Sequence, residues 1–276
     1  MKYLNISGYC FKKLDDLNKI KTELLSLGQS LSIKGTILVS PEGLNVFLSG
    51  TEVEVNNILH KMFELTQTVF EQYDIKPSYS DEIAFNRFLV KIKKEIIAFD
   101  SIYNFDYQAP YISAKELEDL LDQGSEEVIL IDTRNDYEVM LGTFKNAIDP
   151  NIKSFKEFKK VLPTLSQHKK KKIVTFCTGG IRCEKAAVYM KEHGFENVYQ
   201  LRGGILKYFE DTKSNNYDGE CFVFDKRVSL KSNLDVSDKT MCFVCRMPLT
   251  AEDLHTKEYV EGKSCPHCYQ GVAHAS

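Results

Sequence analysis

Apolar residues in the first hundred positions switch between the spacing of strands and the spacing of helices. The β-rich segments are Tyr3–Phe11, Ile33–Val39, Leu44–Leu48 and Phe85–Phe99, the last of which holds one or two strands. Apolar residues recur every three or four positions, as in amphipathic helices, over Leu14–Leu27 and Val53–Phe63. The resulting order, β-α-β-β-α-β, predicts one sheet with two helices packed on one of its faces.

The middle of the chain has continuous apolar runs instead of alternating ones. Three of these runs, typical of strands covered on both faces, are Val128–Ile131, Ile173–Phe176 and Val198–Leu201. The helices predicted around them are Ala114–Leu121, Glu184–His193 and Ile205–Phe209. Strands that alternate with helices indicate a parallel α/β sheet, in which functional sites lie at the carboxyl ends of the strands.

These patterns divide the 276 residues into four parts. We predict a ferredoxin-like (acylphosphatase-like) α+β domain over residues 1–100, a linker over 101–111, a parallel-sheet α/β domain over 112–215 and a small Cys-rich region over 216–276. The length supports such a division, because a single domain spans roughly 100–200 residues.

Composition and charge restrict the class of protein. Hydrophobic residues make up 43% of the chain and charged residues 27%, which are globular proportions. The formal net charge of -3 argues against a polycationic nucleic-acid coat protein but leaves room for a local basic patch. The N-terminus lacks a signal-peptide pattern, and no run reaches about 18 apolar residues. We therefore expect a cytoplasmic protein with reduced thiols and no membrane partner.

The richest candidate site is a short loop between a predicted strand and a predicted helix. Its residues are Cys177, Thr178, Gly179, Gly180, Ile181 and Arg182. Cys177 directly follows the strand, so it falls at the sheet edge where a site is expected. The helix N-terminus, the backbone N–H groups of the paired glycines and the Arg182 charge all favour the reactive thiolate. We interpret Cys177 as a nucleophile; the alternative is an inert cysteine buried at a strand end.

Cys183 lies one residue beyond this loop and admits two interpretations. It could resolve an oxidised Cys177 by forming a disulfide with it, or accept a persulfide from it. Alternatively, it is a small apolar residue in the first turn of the helix. The sequence by itself favours this packing role.

Four cysteines in the C-terminal region have the spacing of a metal site. Cys242 and Cys245 form one Cys-x-x-Cys pair, and Cys265 and Cys268 form another. Two such turns can present four thiolates to a tetrahedral zinc ion, which would stabilise a short segment with a small core. The alternatives are four reduced cysteines or a disulfide formed on oxidation.

A basic stretch over residues 153–172 precedes the strand that leads to Cys177. Its lysines are Lys153, Lys156, Lys159, Lys160, Lys169, Lys170, Lys171 and Lys172. Such a patch could guide an RNA backbone toward the loop, which would make binding salt-dependent. The alternative, which the sequence favours, is a solvated helix face and a charged turn.

The loop resembles the active site of rhodanese-like sulfurtransferases. Four residues separate Cys177 from Arg182, as in that family. The related phosphatases have five residues between the Cys and the Arg, which gives a wider loop suited to phosphate. The segments Asp132–Glu138 and Leu201–Ile205 also resemble rhodanese segments, so that the likeness covers about residues 112–212. It implies a rhodanese-like fold for the central domain.

The same resemblance implies supporting roles at the end of the first long strand of that domain. Asp132 and Arg134 would help to shape the loop. The alternative for Arg134 is a surface ion pair, which would be worth under about 1 kcal/mol. Residues 142–147 depart from the family because they lack its usual His and Pro. No role is therefore assigned to such a His.

Over nearly the whole chain, the arrangement is similar to the bacterial TrhO family of oxygen-dependent tRNA uridine 5-hydroxylases. The likeness is carried by the N-terminal domain with its turn Ser40–Asn45, by the central segment Cys177–Ala186 and by the Cys-rich tail. It implies an oxidoreductase of tRNA modification that converts wobble uridine, in the anticodon region, to 5-hydroxyuridine. Molecular oxygen would be the co-substrate and Cys177 the essential cysteine, and the sequence shows no flavin or iron motif.

Two other functions use parts of the same sequence. A thiosulfate or persulfide sulfurtransferase would use the same Cys177, but small sulfur donors need no additional domains. A noncatalytic RNA-binding scaffold would need no intact Cys177–Arg182 loop. The hydroxylase is therefore the favoured function, with either a thiolate or a persulfide on Cys177.

Overall fold

The computed structural model describes residues 2–124 and 128–269. The N-terminal domain contains β1 (Tyr3–Phe11), α1 (Leu17–Gln29), β2 (Lys34–Ser40), β3 (Gly43–Gly50), α2 (Glu52–Thr66), β4 (Asp74–Ser80) and β5 (Phe88–Ile92). Its strands form one sheet in the order β4-β1-β3-β2-β5, antiparallel except for the β2–β5 pair. Helices α1 and α2 contact each other and share one apolar core with the sheet, which confirms the predicted α+β domain.

The last strands of this domain differ from the sequence prediction. We expected the strand that completes the ferredoxin-like order within Phe85–Phe99, but that strand is β4, and β5 is an additional strand beside β2. The β4 strand lies at the sheet edge and is mostly half-exposed, so it carries polar side chains and Pro77 instead of an apolar pattern. An edge position tolerates Pro77 because one side of the strand needs no hydrogen-bond donors.

The two faces of this sheet meet different neighbours. Along β1, Ile6 and Cys10 belong to the hydrophobic core beneath the helices, whereas Ser7 and Tyr9 line a cavity on the opposite face. This division follows from the two-residue period of a strand, which points successive side chains to opposite faces. The sheet therefore supplies one wall of a cavity that it shares with the rest of the chain.

The central domain is a parallel α/β sheet with helices on both faces. Its elements are β6 (Tyr111–Ile112), α3 (Ala114–Asp122), β7 (Val128–Asp132), α4 (Asp136–Val139), β8 (Gly142–Phe144), α5 (Phe158–Val161), β9 (Lys172–Phe176), α6 (Ile181–Glu192), β10 (Asn197–Leu201) and α7 (Gly204–Asp211). The sheet order is β6-β10-β9-β7, with all pairs parallel. One apolar cluster contains Phe158 and Met190, and the other contains Phe144 and Tyr208. The predicted parallel fold is thus confirmed.

The C-terminal region contains short strands and one helical turn. They are β11 (Tyr217–Gly219), β12 (Cys221–Phe222), β13 (Ser229–Leu230), β14 (Thr240–Met241), β15 (Pro248–Leu249) and α8 (Ala251–Leu254). The β11 strand pairs with β8 of the central domain, which attaches this region to the sheet domain. Within the described parts of the chain, no helix has both the length and the apolar character needed to cross a membrane.

A buried cluster of ion pairs joins the N-terminal domain to the central domain. The Nζ atom of Lys185, on α6, lies 2.9 Å from Oε1 of Glu42 and 2.6 Å from Oε2 of Glu95. The backbone N–H of Ile96 also donates to Oε1 of Glu42, at 2.8 Å. Glu42 lies in the turn between β2 and β3, so this turn contacts the helix that follows the Cys177 loop.

Candidate active site

The Cys177 loop lies at the carboxyl end of β9, where the sequence predicted it. The backbone N–H of Gly180 donates to Sγ of Cys177 at 3.0 Å, and the N–H of Ile205 donates to the Cys177 carbonyl at 2.9 Å. Gly180 has a φ of 101°, and a Cβ atom there would lie 2.9 Å from the Tyr9 hydroxyl oxygen. A larger residue would therefore be both strained and crowded at this position.

Helix α6 begins earlier than the sequence predicted. We expected a helix from Glu184, but it starts at Ile181, so that Ile181 and Arg182 belong to its first turn. The non-helical part of the loop therefore ends at Gly180. This places the partial positive charge of the helix N-terminus beside the sulfur of Cys177.

The surroundings of Cys177 lower the pKa of its thiol to about 5. Burial alone would raise this pKa, because a thiolate is poorly solvated inside a protein. The side-chain hydrogen bond from Cys183, the Arg182 charge and the backbone N–H groups of Arg182 and Gly180 outweigh the effect of burial. At neutral pH, Cys177 is therefore a thiolate, which is the nucleophilic form of cysteine.

Thiolate formation at Cys177 should have its midpoint near pH 5. A lowered pKa means that the thiol ionises as the pH rises through this value and stays ionised at neutral pH. The ultraviolet thiolate absorbance of the wild-type protein minus that of Cys177→Ser measures this transition. A midpoint near the ordinary cysteine pKa of about 8.5 would contradict the stabilising contacts described above.

The thiolate lies at the floor of a cavity of about 500 Å³. The walls come from three parts of the chain, because Phe47 belongs to the N-terminal domain, Tyr137 to the central domain, and Phe224 and Arg246 to the C-terminal region. Aromatic walls with a few polar groups are typical of small-molecule and cofactor pockets. The pocket around Cys177 is therefore formed only when all three parts are together.

Arg182 is held by a carboxylate that the sequence interpretation did not single out. Its Nη1 and Nη2 atoms donate to the two carboxylate oxygens of Glu138 at 2.6 and 2.7 Å, between buried side chains. The Thr178 hydroxyl donates to Oε1 of Glu138 at 3.3 Å, so one carboxylate contacts both ends of the loop. A signal was present, since Glu138 ends the segment Asp132–Glu138 that resembles rhodaneses.

Asp132 and Arg134 form a fully buried pair. The Nη2 atom of Arg134 donates to Oδ2 of Asp132 at 2.7 Å and to the Gly142 carbonyl at 2.6 Å. The Thr143 hydroxyl donates to the same Oδ2 atom at 2.8 Å. The pair thus ties the end of β7 to β8, and the alternative of a surface ion pair for Arg134 is wrong.

Cys183 lies against Cys177 without lining the cavity. Its backbone N–H donates to the Gly180 carbonyl at 2.9 Å, and its Sγ atom lies 3.8 Å from the Thr133 hydroxyl oxygen. The side chain is fully buried, and burial and then the neighbouring Cys177 sulfur raise the pKa of its thiol. Among the described residues, Cys177 is the loop thiol that faces the cavity, and Cys183 is its buried neighbour.

The four C-terminal cysteines converge as their spacing predicts. All four sulfur atoms lie within 4.8 Å of one another. The Sγ–Sγ distance is 3.6 Å between Cys245 and Cys265, 3.7 Å between Cys265 and Cys268, and 3.8 Å between Cys242 and Cys268. Sulfur atoms that each lie ~2.3 Å from one tetrahedral ion would be ~3.8 Å apart. The donor atoms and their separations therefore fit a thiolate-bound metal.

The basic stretch over residues 153–172 is largely occupied by contacts within the protein. Lys153 pairs with Asp136 at 2.6 Å, and Lys156 pairs with Asp100 at 2.8 Å. Three further ammonium groups lie over aromatic rings, and they belong to Lys159, Lys169 and Lys172. These contacts favour the alternative interpretation, in which the lysines form a solvated face with contacts inside the protein and not a continuous phosphate-binding patch.

A parallel α/β sheet that presents a thiolate between a strand end and a helix N-terminus defines a rhodanese-like protein. The model of the Rhodanese-like domain family matches residues 113–211, and that of the UPF0176 acylphosphatase like domain matches residues 3–96. Both predicted folds, the acylphosphatase-like and the rhodanese-like, are thereby confirmed.

Several relatives match the chain over its whole length. It is 43% identical to the tRNA uridine(34) hydroxylase of Cupriavidus pinatubonensis, over 97% of each chain, and 42% identical to that of Ralstonia nicotianae, over 100% of each. The tRNA uridine(34) hydroxylase of Paraburkholderia xenovorans is 42% identical over 98% of this chain and 97% of its own. The chain therefore belongs to the tRNA uridine(34) hydroxylase family, which confirms the resemblance seen in the sequence.

Proposed function

We propose that this chain hydroxylates C5 of uridine 34, the wobble base of tRNA, with molecular oxygen as co-substrate. Family membership supports the function, because relatives that match the whole chain are named tRNA uridine(34) hydroxylase. The observation that carries it is a thiolate, Cys177, at the floor of a cavity of about 500 Å³. A reaction at a pyrimidine ring requires both a nucleophile and a pocket that holds the base.

In this function Cys177 acts by covalent catalysis. Uridine C5 is a weak nucleophile until a group adds at C6. Addition of the Cys177 sulfur at C6 places enolate character on C5, where molecular oxygen can be captured. The N–H groups of Gly180 and Arg182, together with the Arg182 charge, hold the sulfur in place for the attack. Capture of oxygen leaves a peroxide on C5, and release of the sulfur and of the C5 proton restores the double bond of the ring. Two-electron reduction by a thiol then breaks the O–O bond and leaves a hydroxyl group on C5.

The cavity walls suit a pyrimidine base from a single-stranded loop. Phe224 is 44% exposed and offers its ring as a stacking surface, a contact worth about 1–3 kcal/mol per base in single-stranded nucleic acid binding. The bases of an anticodon loop are already unpaired, so the enzyme needs no duplex opening to reach them. Replacement of Phe224 would therefore weaken tRNA binding more than it would alter the thiolate.

Basic side chains at the edge of the cavity are the proposed contacts to the phosphates of the anticodon loop. Lys76 and Lys93 come from the N-terminal domain and Arg246 from the C-terminal region. Lys156 of the basic stretch would exchange its exposed ion pair with Asp100 for a phosphate. Neutralisation of phosphates by such residues makes binding salt-dependent without sequence specificity. The contact with tRNA is then centred on the cavity, with only part of residues 153–172 contributing.

We assign a structural zinc ion to the four-cysteine cluster of Cys242, Cys245, Cys265 and Cys268. Thiolates are preferred zinc ligands, and four protein ligands leave no open position for catalysis. Purified protein should contain about one zinc ion per chain, and Cys265→Ser should lower this content and loosen the tail. Elemental analysis measures the metal, with Cys10→Ser as the matched control. A metal-free chain under reducing conditions would contradict the assignment.

Direct assay of the purified chain tests the hydroxylase function. Unmodified tRNA incubated with the protein, air and a dithiol reductant should gain one oxygen atom at uridine 34. Mass spectrometry of the digested tRNA measures 5-hydroxyuridine, and isotopically labelled oxygen gas identifies the source of the added atom. A sulfur-containing nucleoside in place of the hydroxylated one would favour the sulfurtransferase alternative and overturn the proposal.

A further inference from the structure

Cys183 is a buried thiol to which the hydroxylation chemistry above gives no covalent role. It lies in the first turn of α6, and its backbone N–H donates at 2.9 Å to the carbonyl of Gly180, whose own N–H donates at 3.0 Å to the Cys177 sulfur. Its sulfur also lies 3.8 Å from the hydroxyl of Thr133, which donates to the Phe176 carbonyl at 2.9 Å. Phe176 immediately precedes Cys177. The fold therefore holds two thiols side by side, and only one of them lines the cavity.

The proposed reaction needs two electrons. One atom of molecular oxygen stays on C5 of uridine, and the other must be reduced to the level of water. Two thiols that become one disulfide release two electrons and two protons, which is the amount required. An adjacent pair of thiols at the reacting centre can therefore complete the reaction.

We propose that Cys177 and Cys183 supply these electrons and end each turnover as a disulfide, an inference that rests on the proposed hydroxylase function. In the first step uridine 34, molecular oxygen and the Cys177 thiol give 5-hydroxyuridine and a sulfenic acid on Cys177. The O–O bond breaks, one oxygen atom replaces hydrogen at C5, and the other bonds to Sγ of Cys177. That sulfur is oxidised by two electrons, and every atom of the three reactants is retained.

In the second step Cys183 resolves the sulfenic acid. Its sulfur attacks Sγ of Cys177, an S–S bond forms, the S–O bond breaks, and the hydroxyl group leaves with the Cys183 proton as water. A small or protein dithiol then reduces the disulfide by exchange and restores both thiols. Over the whole cycle, uridine, oxygen and one external dithiol give 5-hydroxyuridine, water and one external disulfide.

The surroundings of Cys183 suit a thiol that reacts second. Burial, and then the hydrogen bond and negative charge of the Cys177 thiolate, raise the pKa of Cys183. Cys183 therefore stays protonated while Cys177 is a thiolate. A neutral sulfenic acid on Cys177 removes the negative charge that opposes ionisation of Cys183. Oxidation of the first thiol thus activates the second, and the cavity-facing thiol meets the oxidant first.

A single-turnover assay without added reductant tests the inference. Reduced wild-type protein in excess over tRNA should form 5-hydroxyuridine and lose two thiols per product, with a Cys177–Cys183 disulfide in non-reducing peptide mass spectrometry. Cys183→Ser should still form product in the first turnover, but its Cys177 sulfenic acid should persist and be trapped by a dimedone probe. Its repeated turnover with a dithiol should fall about tenfold or more, whereas Cys10→Ala should behave as wild type.

The possible outcomes separate this inference from the hydroxylase function. Product formed by wild type without loss of thiols, or unchanged turnover of Cys183→Ser with nothing trapped, would overturn the inference and leave the function intact. Absence of 5-hydroxyuridine with every variant would overturn both. Thermal unfolding of Cys183→Ser, measured beside its activity, distinguishes a lost resolving thiol from a misfolded loop. Serine keeps a hydrogen-bond donor beside Cys177, and sulfenic acid is trapped only after a folded protein has completed its first turnover.

Discussion

Replacement of Cys177 by alanine should abolish the formation of 5-hydroxyuridine. The variant lacks the only described thiolate that faces the cavity, so nothing adds at C6 to activate C5. We expect the initial rate to fall by more than about 10³-fold, as for other covalent nucleophiles. The measurement is 5-hydroxyuridine in tRNA from purified assays, and in tRNA from cells in which the variant replaces the wild-type protein.

Cys10→Ala is the matched control for this experiment. Cys10 is also buried, at 5% exposure, but it belongs to the core of the N-terminal domain. Its truncation should leave the rate close to that of the wild type. Substantial hydroxylation by Cys177→Ala would refute the assigned nucleophile, although the family assignment would stand.

Replacement of Lys185 by methionine should destabilise the protein by about 3–5 kcal/mol. Lys185 is 2% exposed and is the cation shared by Glu42 and Glu95, whose side chains are 7% and 16% exposed. Methionine keeps most of the volume but leaves two carboxylates without their partner. Urea unfolding measures the free energy, and activity should fall with it because the sheet wall of the cavity is no longer fixed to α6.

The loss of stability in Lys185→Met should depend on pH. Burial raises the pKa of Glu42, and the hydrogen bond and charge of Lys185 oppose that shift. Without Lys185, the folded-state pKa of Glu42 rises further above its unfolded value. Such a carboxyl destabilises the fold at any pH above its unfolded pKa and ceases to do so below it. The loss should therefore be largest at neutral pH and should shrink in acid.

Lys191→Met is the matched control, because Lys191 lies on the same helix but has no ion pair among the described residues. Its ammonium group contacts the Glu196 carbonyl at 3.0 Å and lies 5.9 Å from the centre of the Tyr107 ring. This substitution should change the free energy of unfolding by no more than about 0.5 kcal/mol. A triple variant, Lys185→Met with Glu42→Gln and Glu95→Gln, should recover part of the loss, since no unpaired charge remains buried. Equal losses in Lys185→Met and Lys191→Met would contradict the role of the cluster.

The sequence predicts those features of the fold that depend on local spacing. The apolar runs of the central sheet, the position of Cys177 at a strand end and the convergence of two Cys-x-x-Cys pairs all follow from residues close together in the chain. The apolar spacing does not predict the β4 strand, because a half-exposed edge strand needs no apolar pattern. The paired glycines before Ile181 resemble the continuation of a loop, so the sequence predicts a later start for α6 than the structure has.

Local spacing does not predict contacts between residues that are far apart in the sequence. Glu138 holds Arg182 from a different helix, and Lys185 meets two glutamates of another domain. Glu138 ends a segment that resembles rhodaneses, but neither that resemblance nor the spacing of charges identifies a partner far along the chain. The cavity around Cys177 is likewise a product of tertiary contacts, since Phe47 and Phe224 come from opposite ends of the sequence.

The three-part cavity is completed late in the synthesis of the chain. A ribosome releases the Cys177 loop well before the residues that complete the pocket, Phe224 and Arg246. A nascent or prematurely terminated chain can thus contain the Cys177 sulfur without the complete pocket for an RNA base. The pocket around Cys177 is therefore complete only after the ribosome has released Arg246.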